Sequence, residues 1–162
     1  MRVFLFIVLL CATTSVRGQV VDTSTYAILP LMKYPSAFPS NCKSTSLSPK
    51  EIDQIEQILL DGIREYNRSM WKKYPEWVKE DSSQFVINLR SYNRQYIAIL
   101  NVNGEKEIWI NCFRKVIYED GIKPDYSWKE HVVKADDGGN GFFNAKVNLS
   151  NKKCYDLFVN GN

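Results

Sequence analysis

The 162-residue chain contains a single histidine, His131. A Ser-His-Asp or Cys-His constellation would have to run through it. No G-x-S-x-G elbow accompanies it, and it follows the charged pair Lys129-Glu130 at the expected start of a strand. An exposed, strand-edge histidine is therefore expected. Cysteine is also scarce. Cys11, Cys42, Cys112 and Cys154 lie far apart and lack the paired spacing of zinc ligands. No cofactor motif is present. The acidic pairs Glu80-Asp81 and Glu119-Asp120 are adjacent in sequence, and nothing sets two carboxyls across a cleft as glycosidases require. No catalytic residues are assigned, and a non-enzymatic protein is expected.

Long apolar runs are missing too, with one exception. Residues 3–12 form a run of about ten residues, suited to an export signal and too short to cross a bilayer. Arg2 precedes it, and Val16 and Gly18 suit positions −3 and −1 of a cut before Gln19, although Arg17 between them is unusual. Residues 1–18 are thus expected to be a signal peptide, giving a secreted, periplasmic or cell-surface protein with no transmembrane segment. Cys11 follows Leu10 inside the apolar core, which does not suit a lipid-attachment site. The cut removes Arg2 and Arg17 from 21 basic side chains and none of the 18 acidic ones, leaving a net charge of +1. That balance gives no electrostatic case for nucleic acid or an anionic membrane. Three cysteines would remain in an oxidising compartment. One disulfide and one free thiol is the simplest expectation, and the pairing among Cys42, Cys112 and Cys154 stays open.

The rest reads as one domain. Residues 19–47 form an irregular arm broken by Pro30, Pro35 and Pro39, with one β-like stretch at 25–29. A single α+β domain is expected over 48–162. Ser48-Pro49-Lys50-Glu51 is a capping box with proline at the first helical position. Ile52, Ile55, Leu59, Ile63, Tyr66 and Met70 follow at steps of three and four, which predicts a long amphipathic helix. Tyr74-Pro75 ends or kinks it, and 76–81 adds a short turn. Alternation then predicts strands over 84–90, 95–102, 107–113, 131–135, 143–149 and 155–159. Ser91-Tyr92-Asn93-Arg94 reads as a connection, Asn103-Gly104 as a hairpin turn, and 115–129 as a long polar loop. The expected architecture is α+β: one helix packed on a curved antiparallel sheet of four to six strands.

Three segments carry possible binding chemistry. The turn 136–141 offers oxygen ligands from Asp136, Asp137 and Asn140 on a glycine-rich backbone. That composition is compatible with calcium, although it matches neither an EF-hand loop nor a calcium repeat. A bulged turn explains the same residues. Trp71, Tyr74 and Trp77, with Tyr92 and Tyr96, form a candidate aromatic platform for a sugar or peptide, against the plainer reading of core packing. Asn67-Arg68-Ser69 and Asn148-Leu149-Ser150 are glycosylation sequons.

Several runs resemble small exported proteins of Bacteroidetes. They are Tyr92-Asn93-Arg94-Gln95-Tyr96, the stretch 103–113, Asp136-Asp137-Gly138-Gly139-Asn140, and the ending 155–161. The similarity covers about residues 84–162. It implies export and a compact domain and carries no activity. It also implies that a cysteine can replace Gly141 and pair with the equivalent of Cys112, a partner this chain lacks. A short strand, a long helix and a meander also resemble the cystatin-like layout. The inhibitory cystatin signals are missing, since Gln84-Phe85-Val86-Ile87-Asn88 lacks the glycine of Q-x-V-x-G and no Pro-Trp pair occurs. The expectation is an exported binding or structural module with a protein or glycan partner. The alternatives are a protease-inhibitor-like binder using loops 91–94 and 115–129, or a weak calcium module.

Overall fold

The chain commits to helix at Ser48. Its hydroxyl accepts from the Glu51 N–H at 3.3 Å, and the Glu51 carboxylate accepts from the Ser48 N–H at 2.8 Å. The resulting helix α1 (Pro49–Lys73) runs 25 residues. In the computed structural model, residues 23–115, 126–135 and 138–160 are described. The expected signal therefore lies outside the described residues. Helix α1 buries Ile52, Ile55, Leu59 and Ile63 along one stripe. Each such side chain contributes about 2 kcal/mol on leaving water, so packing rather than intrinsic propensity holds the helix in place. Its start is pinned to the sheet by Lys106, whose Nζ lies 2.5 Å from Glu51 Oε1. That hydrogen bond, with the one from the Ser48 N–H, brings the Glu51 carboxyl down to about 2.

The sheet has six strands: β1 (Tyr26–Ile28), β2 (Lys43–Ser44), β3 (Tyr92–Leu100), β4 (Lys106–Arg114), β5 (Phe142–Asn148) and β6 (Lys153–Val159). Their order is β1-β3-β4-β5-β6, with β2 also paired to β3. β1 runs parallel to β3, whereas the other pairings are antiparallel. The fold is thus α+β as expected, but the sheet is mixed rather than wholly antiparallel. The arm returns along β3 with Ala27 and Leu29 turned into a core, and the Leu29 N–H bonds Tyr96 O at 2.8 Å.

Both faces of the central strands are covered. On the helix face, Tyr92, Tyr96, Ile108, Ile110, Phe143 and Val147 pack with the α1 stripe. On the opposite face, Ile97, Ile99, Trp109 and Phe113 pack under Leu29 and Phe38 of the arm and under Trp128. The arm is therefore a layer of the domain. Double coverage explains why β3 and β4 are buried nearly throughout and carry the apolar runs 96–100 and 108–110.

Three expected strand boundaries are corrected. Residues 84–90 form no strand: beyond helix α2 (Pro75–Glu80), a short helix α3 (Ser82–Phe85) and a 3-10 turn (Leu89–Ser91) stand there. Asp81 caps α3, and the Asn67 amide takes both backbone groups of Ile87 at 2.8 and 2.9 Å, so those groups are unavailable to a ladder. The expected connection 91–94 is largely strand, because β3 starts at Tyr92. Arg94, a polar residue that suggested a turn, is buried with its Nε 2.9 Å from Glu56 Oε1 of α1. Residues 131–135 are irregular. Gln95 and Asn111, buried on the arm face, capture that segment through Trp128 O, His131 O, Val133 N and Val133 O at 2.6 to 3.0 Å. The segment lies over the sheet face instead of joining its edge.

The expected disulfide is absent, and Cys42, Cys112 and Cys154 are free thiols. Cys42 packs on the arm face, while Cys112 and Cys154 belong to the helix face. Cys112 stands opposite Phe143 and Cys154 opposite Val147. Those β5 positions are four residues apart, roughly 13 Å along a strand, beyond the Cα span a disulfide bridges. Burial pushes the Cys112 thiol well up, and burial also raises Cys154 to about 11.

Candidate functional site: an aromatic corner beyond the long helix

Pro75 disfavours helical geometry in the residue before it. Tyr74 accordingly leaves the helix with φ −133° and ψ 54°, and the chain turns into α2 (Pro75–Glu80). Val78 is the buried anchor of α2. Asp81 then starts α3, accepting from the Ser83 N–H at 3.0 Å and from Gln84 Nε2 at 2.7 Å.

This corner gathers aromatic rings on the surface. Tyr74 and Trp77 stack with centroids 5.2 Å apart and planes 3° from parallel. Phe85 closes the group at 6.3 Å from Tyr74 and 6.0 Å from Trp77. Lys73 Nζ sits 4.8 Å above the Tyr74 ring. Trp77 is 57% exposed, and Trp71, one helical turn before Tyr74, is 46% exposed.

The backbone around Phe85 is held by polar side chains from elsewhere in the fold. Asn67 grips Ile87 from α1. Asn140 is buried and donates from Nδ2 to Ser83 O at 2.9 Å and Val86 O at 3.0 Å, while its Oδ1 accepts from the Tyr92 hydroxyl. Arg114 reaches Ser83 O from the end of β4. Phe85 therefore stands on a fixed segment, Trp77 is carried by α2 through its buried Val78, and a fixed base lowers the ordering cost of binding.

Of the sequence candidates, Tyr74 and Trp77 share this corner, and Trp71 lies exposed one helical turn earlier without a ring contact to them. Tyr92 and Tyr96 do not share it. Both are buried on the helix face, Tyr92 bonding Asn140 and Tyr96 bonding Glu56. Burial drives the Tyr96 hydroxyl far above its ordinary range. Phe85 was read as one phase of a strand, so the sequence argument missed its place among the rings. The signal that could have found it is Asp81 with Ser83 and Gln84, a cap for a short helix.

His131 is exposed, and its backbone N–H and carbonyl bond Ser127 O and Gln95 Nε2. Asn140, one of the three calcium candidates, has its amide engaged as described, and Asp136 and Asp137 lie outside the described residues. Among the described residues, no group of three or more His, Cys, Asp or Glu side chains is placed to hold a metal ion. Residues 92–94 of the proposed inhibitor loop lie within β3, and 116–125 of the other loop fall outside the described residues. Both sequon asparagines serve the fold: Asn67 as above, and Asn148 by accepting from the Ser150 and Asn151 N–H groups. A glycan on Asn67 would break its donation to Ile87 O.

An open groove of about 470 Å3 runs between α1 and the β5–β6 turn, past Asp53, Gln57, Asp61, Leu149 and Lys152. It does not reach His131 or the aromatic corner. Among the described residues, no helix is long and apolar enough to cross a membrane. No family model, no curated protein and no solved structure matches this chain.

Proposed function

We propose that the protein is an exported, non-enzymatic binding module whose contact surface is the corner formed by Tyr74, Trp77 and Phe85, with Trp71 one helical turn before it. One observation carries this reading: Trp71 and Trp77 lie exposed, with Tyr74 and Phe85 half-buried against Trp77, while amide and guanidinium side chains from α1, β4 and the 138–141 turn hold the backbone on either side of Phe85. Aromatic side chains left on the surface of a rigid base are characteristic of contact sites, since they add contact area at low entropic cost. Export rests on the sequence pattern of residues 1–18.

The test presents the purified protein to immobilised arrays of glycans and of peptides, beside Trp77→Ala. Ligands that lose at least tenfold in signal with the variant support the reading. Binding that is indifferent to Trp77 overturns it. Export is tested by the mass of the protein recovered outside its cells, which should begin at Gln19.

A further inference from the structure

The groove between α1 and the β5–β6 turn has an apolar floor and charged walls. On the floor, Ile58 and Leu149 are half-buried and pack against the helix-face core. The α1 wall is one continuous stripe. Lys50, Asp53, Gln54, Gln57 and Asp61 line the groove at spacings that keep them on one flank of the helix. From Lys50 to Asp61 the stripe runs about 16 Å at 1.5 Å per residue, the length of about five residues of extended chain. The facing wall is a fixed turn. Asn148 Oδ1 accepts from the Ser150 and Asn151 N–H groups at 2.9 and 3.2 Å, and Asn151 Oδ1 accepts from the Lys153 N–H at 3.1 Å. Lys152 stands in that turn with φ 55° and lines the groove.

Charges of both signs meet here unpaired. Among the described residues, Lys50, Asp53 and Lys152 form no ion pair. Lys50 and Asp53 stand one helical turn apart, the spacing at which Asp61 and Arg64 do pair at 2.7 Å. Asp61 is thus committed to Arg64, and Asp53 is the open carboxylate of the wall. An extended peptide carries what these groups lack. Its backbone offers a donor and an acceptor at each residue, as do the amides of Gln54 and Gln57, and its side chains supply charges of both signs.

We infer that the groove binds an extended peptide segment of about five residues. Its basic side chain pairs with Asp53, its acidic side chain pairs with Lys152, and an apolar side chain lies on Ile58 and Leu149. Lys50 adds a second cation at the N-terminal end of the stripe.

The experiment is fluorescence anisotropy with labelled heptapeptides that carry one Lys, one Leu and one Glu in every order on a Gly-Ser background. Wild type, Asp53→Lys, Lys152→Glu, Trp77→Ala and the distant control Met32→Ala are compared, each shown to be folded by circular dichroism. Met32 is 80% exposed on the arm. The expected result is saturable binding of at least one order, weakened at least tenfold by Asp53→Lys and by Lys152→Glu and unchanged by Met32→Ala. Added salt should weaken it, and Asp53→Lys should regain binding when Glu replaces Lys in the peptide. No saturable binding to wild type, or binding indifferent to Asp53→Lys, would overturn the inference. Binding lost in Trp77→Ala and kept in Asp53→Lys would also overturn it, while supporting the role proposed above for the corner. A wild-type dimer in sedimentation that Asp53→Lys dissociates would make a second copy the occupant and overturn the peptide.

Discussion

The aromatic residues of this protein fall into two regions with opposite arrangements. In the sheet, Tyr92, Tyr96 and Phe143 are buried, and the two hydroxyls are bonded to Asn140 and Glu56. There the rings hold the fold. At the corner, Trp77 is exposed with Tyr74 and Phe85 half-buried against it, and the backbone from Ser83 to Ile87 is held by Asn67, Asn140 and Arg114. The same residue types thus do structural work in one region and are left available in the other. What separates the two is whether the local backbone depends on the rings.

That contrast can be broken or sharpened by substitution. The largest effect belongs to the sheet. Ile110→Ala removes a fully buried side chain from the helix-face core and should cost about 3–4 kcal/mol in chemical denaturation. Its ligand binding, measured where the variant is folded, should be unchanged. Next is Gln95→Ala, which leaves Trp128 O, His131 O and the Val133 N–H without their partner. The expected loss is about 2–3 kcal/mol, with hydrogen exchange quickening over 126–133 ahead of the strands.

Asn67→Ala should cost less, about 1–2 kcal/mol. It is the sharper test because it attacks the base of the corner. Exchange should rise around Ile87, and affinity should fall although no ring is altered. Glu51→Gln should cost about 1 kcal/mol at neutral pH, discounted for the partial exposure of its pair with Lys106. The folded carboxyl lies at about 2 against an ordinary 4.5. Its contribution is therefore complete above about pH 4.5 and fades as pH falls through 2. The stability gap between wild type and variant should close over that same interval, while binding stays indifferent to the substitution. Smallest in stability is Trp77→Ala, at most about 1 kcal/mol for a largely exposed ring.

The two regions also differed in how much could be read from the residues alone. The capping box at Ser48, the spacing of Ile52, Ile55, Leu59 and Ile63, and the Asn103-Gly104 hairpin all rest on local rules, and each stands in the structure. What escaped depends on distant partners. Arg94 suggested a connection because its polarity could not be matched to Glu56, 38 residues earlier, and Gln95, read as the start of a strand, gave no local sign of the carbonyls of Trp128 and His131 that it holds. Residues 84–90 alternate like a strand, yet Asn67 claims the backbone of Ile87. The parallel pairing of β1 with β3 required the arm to fold back over the sheet, and short-range patterns do not record such a return. For the corner, Trp71, Tyr74 and Trp77 were visible as a group. The addition of Phe85 was not, because Asn67, Asn140 and Arg114 reach its segment from distant elements.

The most direct measurement is the affinity of wild type and Trp77→Ala for the tightest ligand found on the glycan and peptide arrays, with both proteins shown by denaturation to be equally folded. The account predicts at least a tenfold loss of affinity, about 1.4 kcal/mol, with the fold intact. Equal affinities in two folded proteins would contradict it.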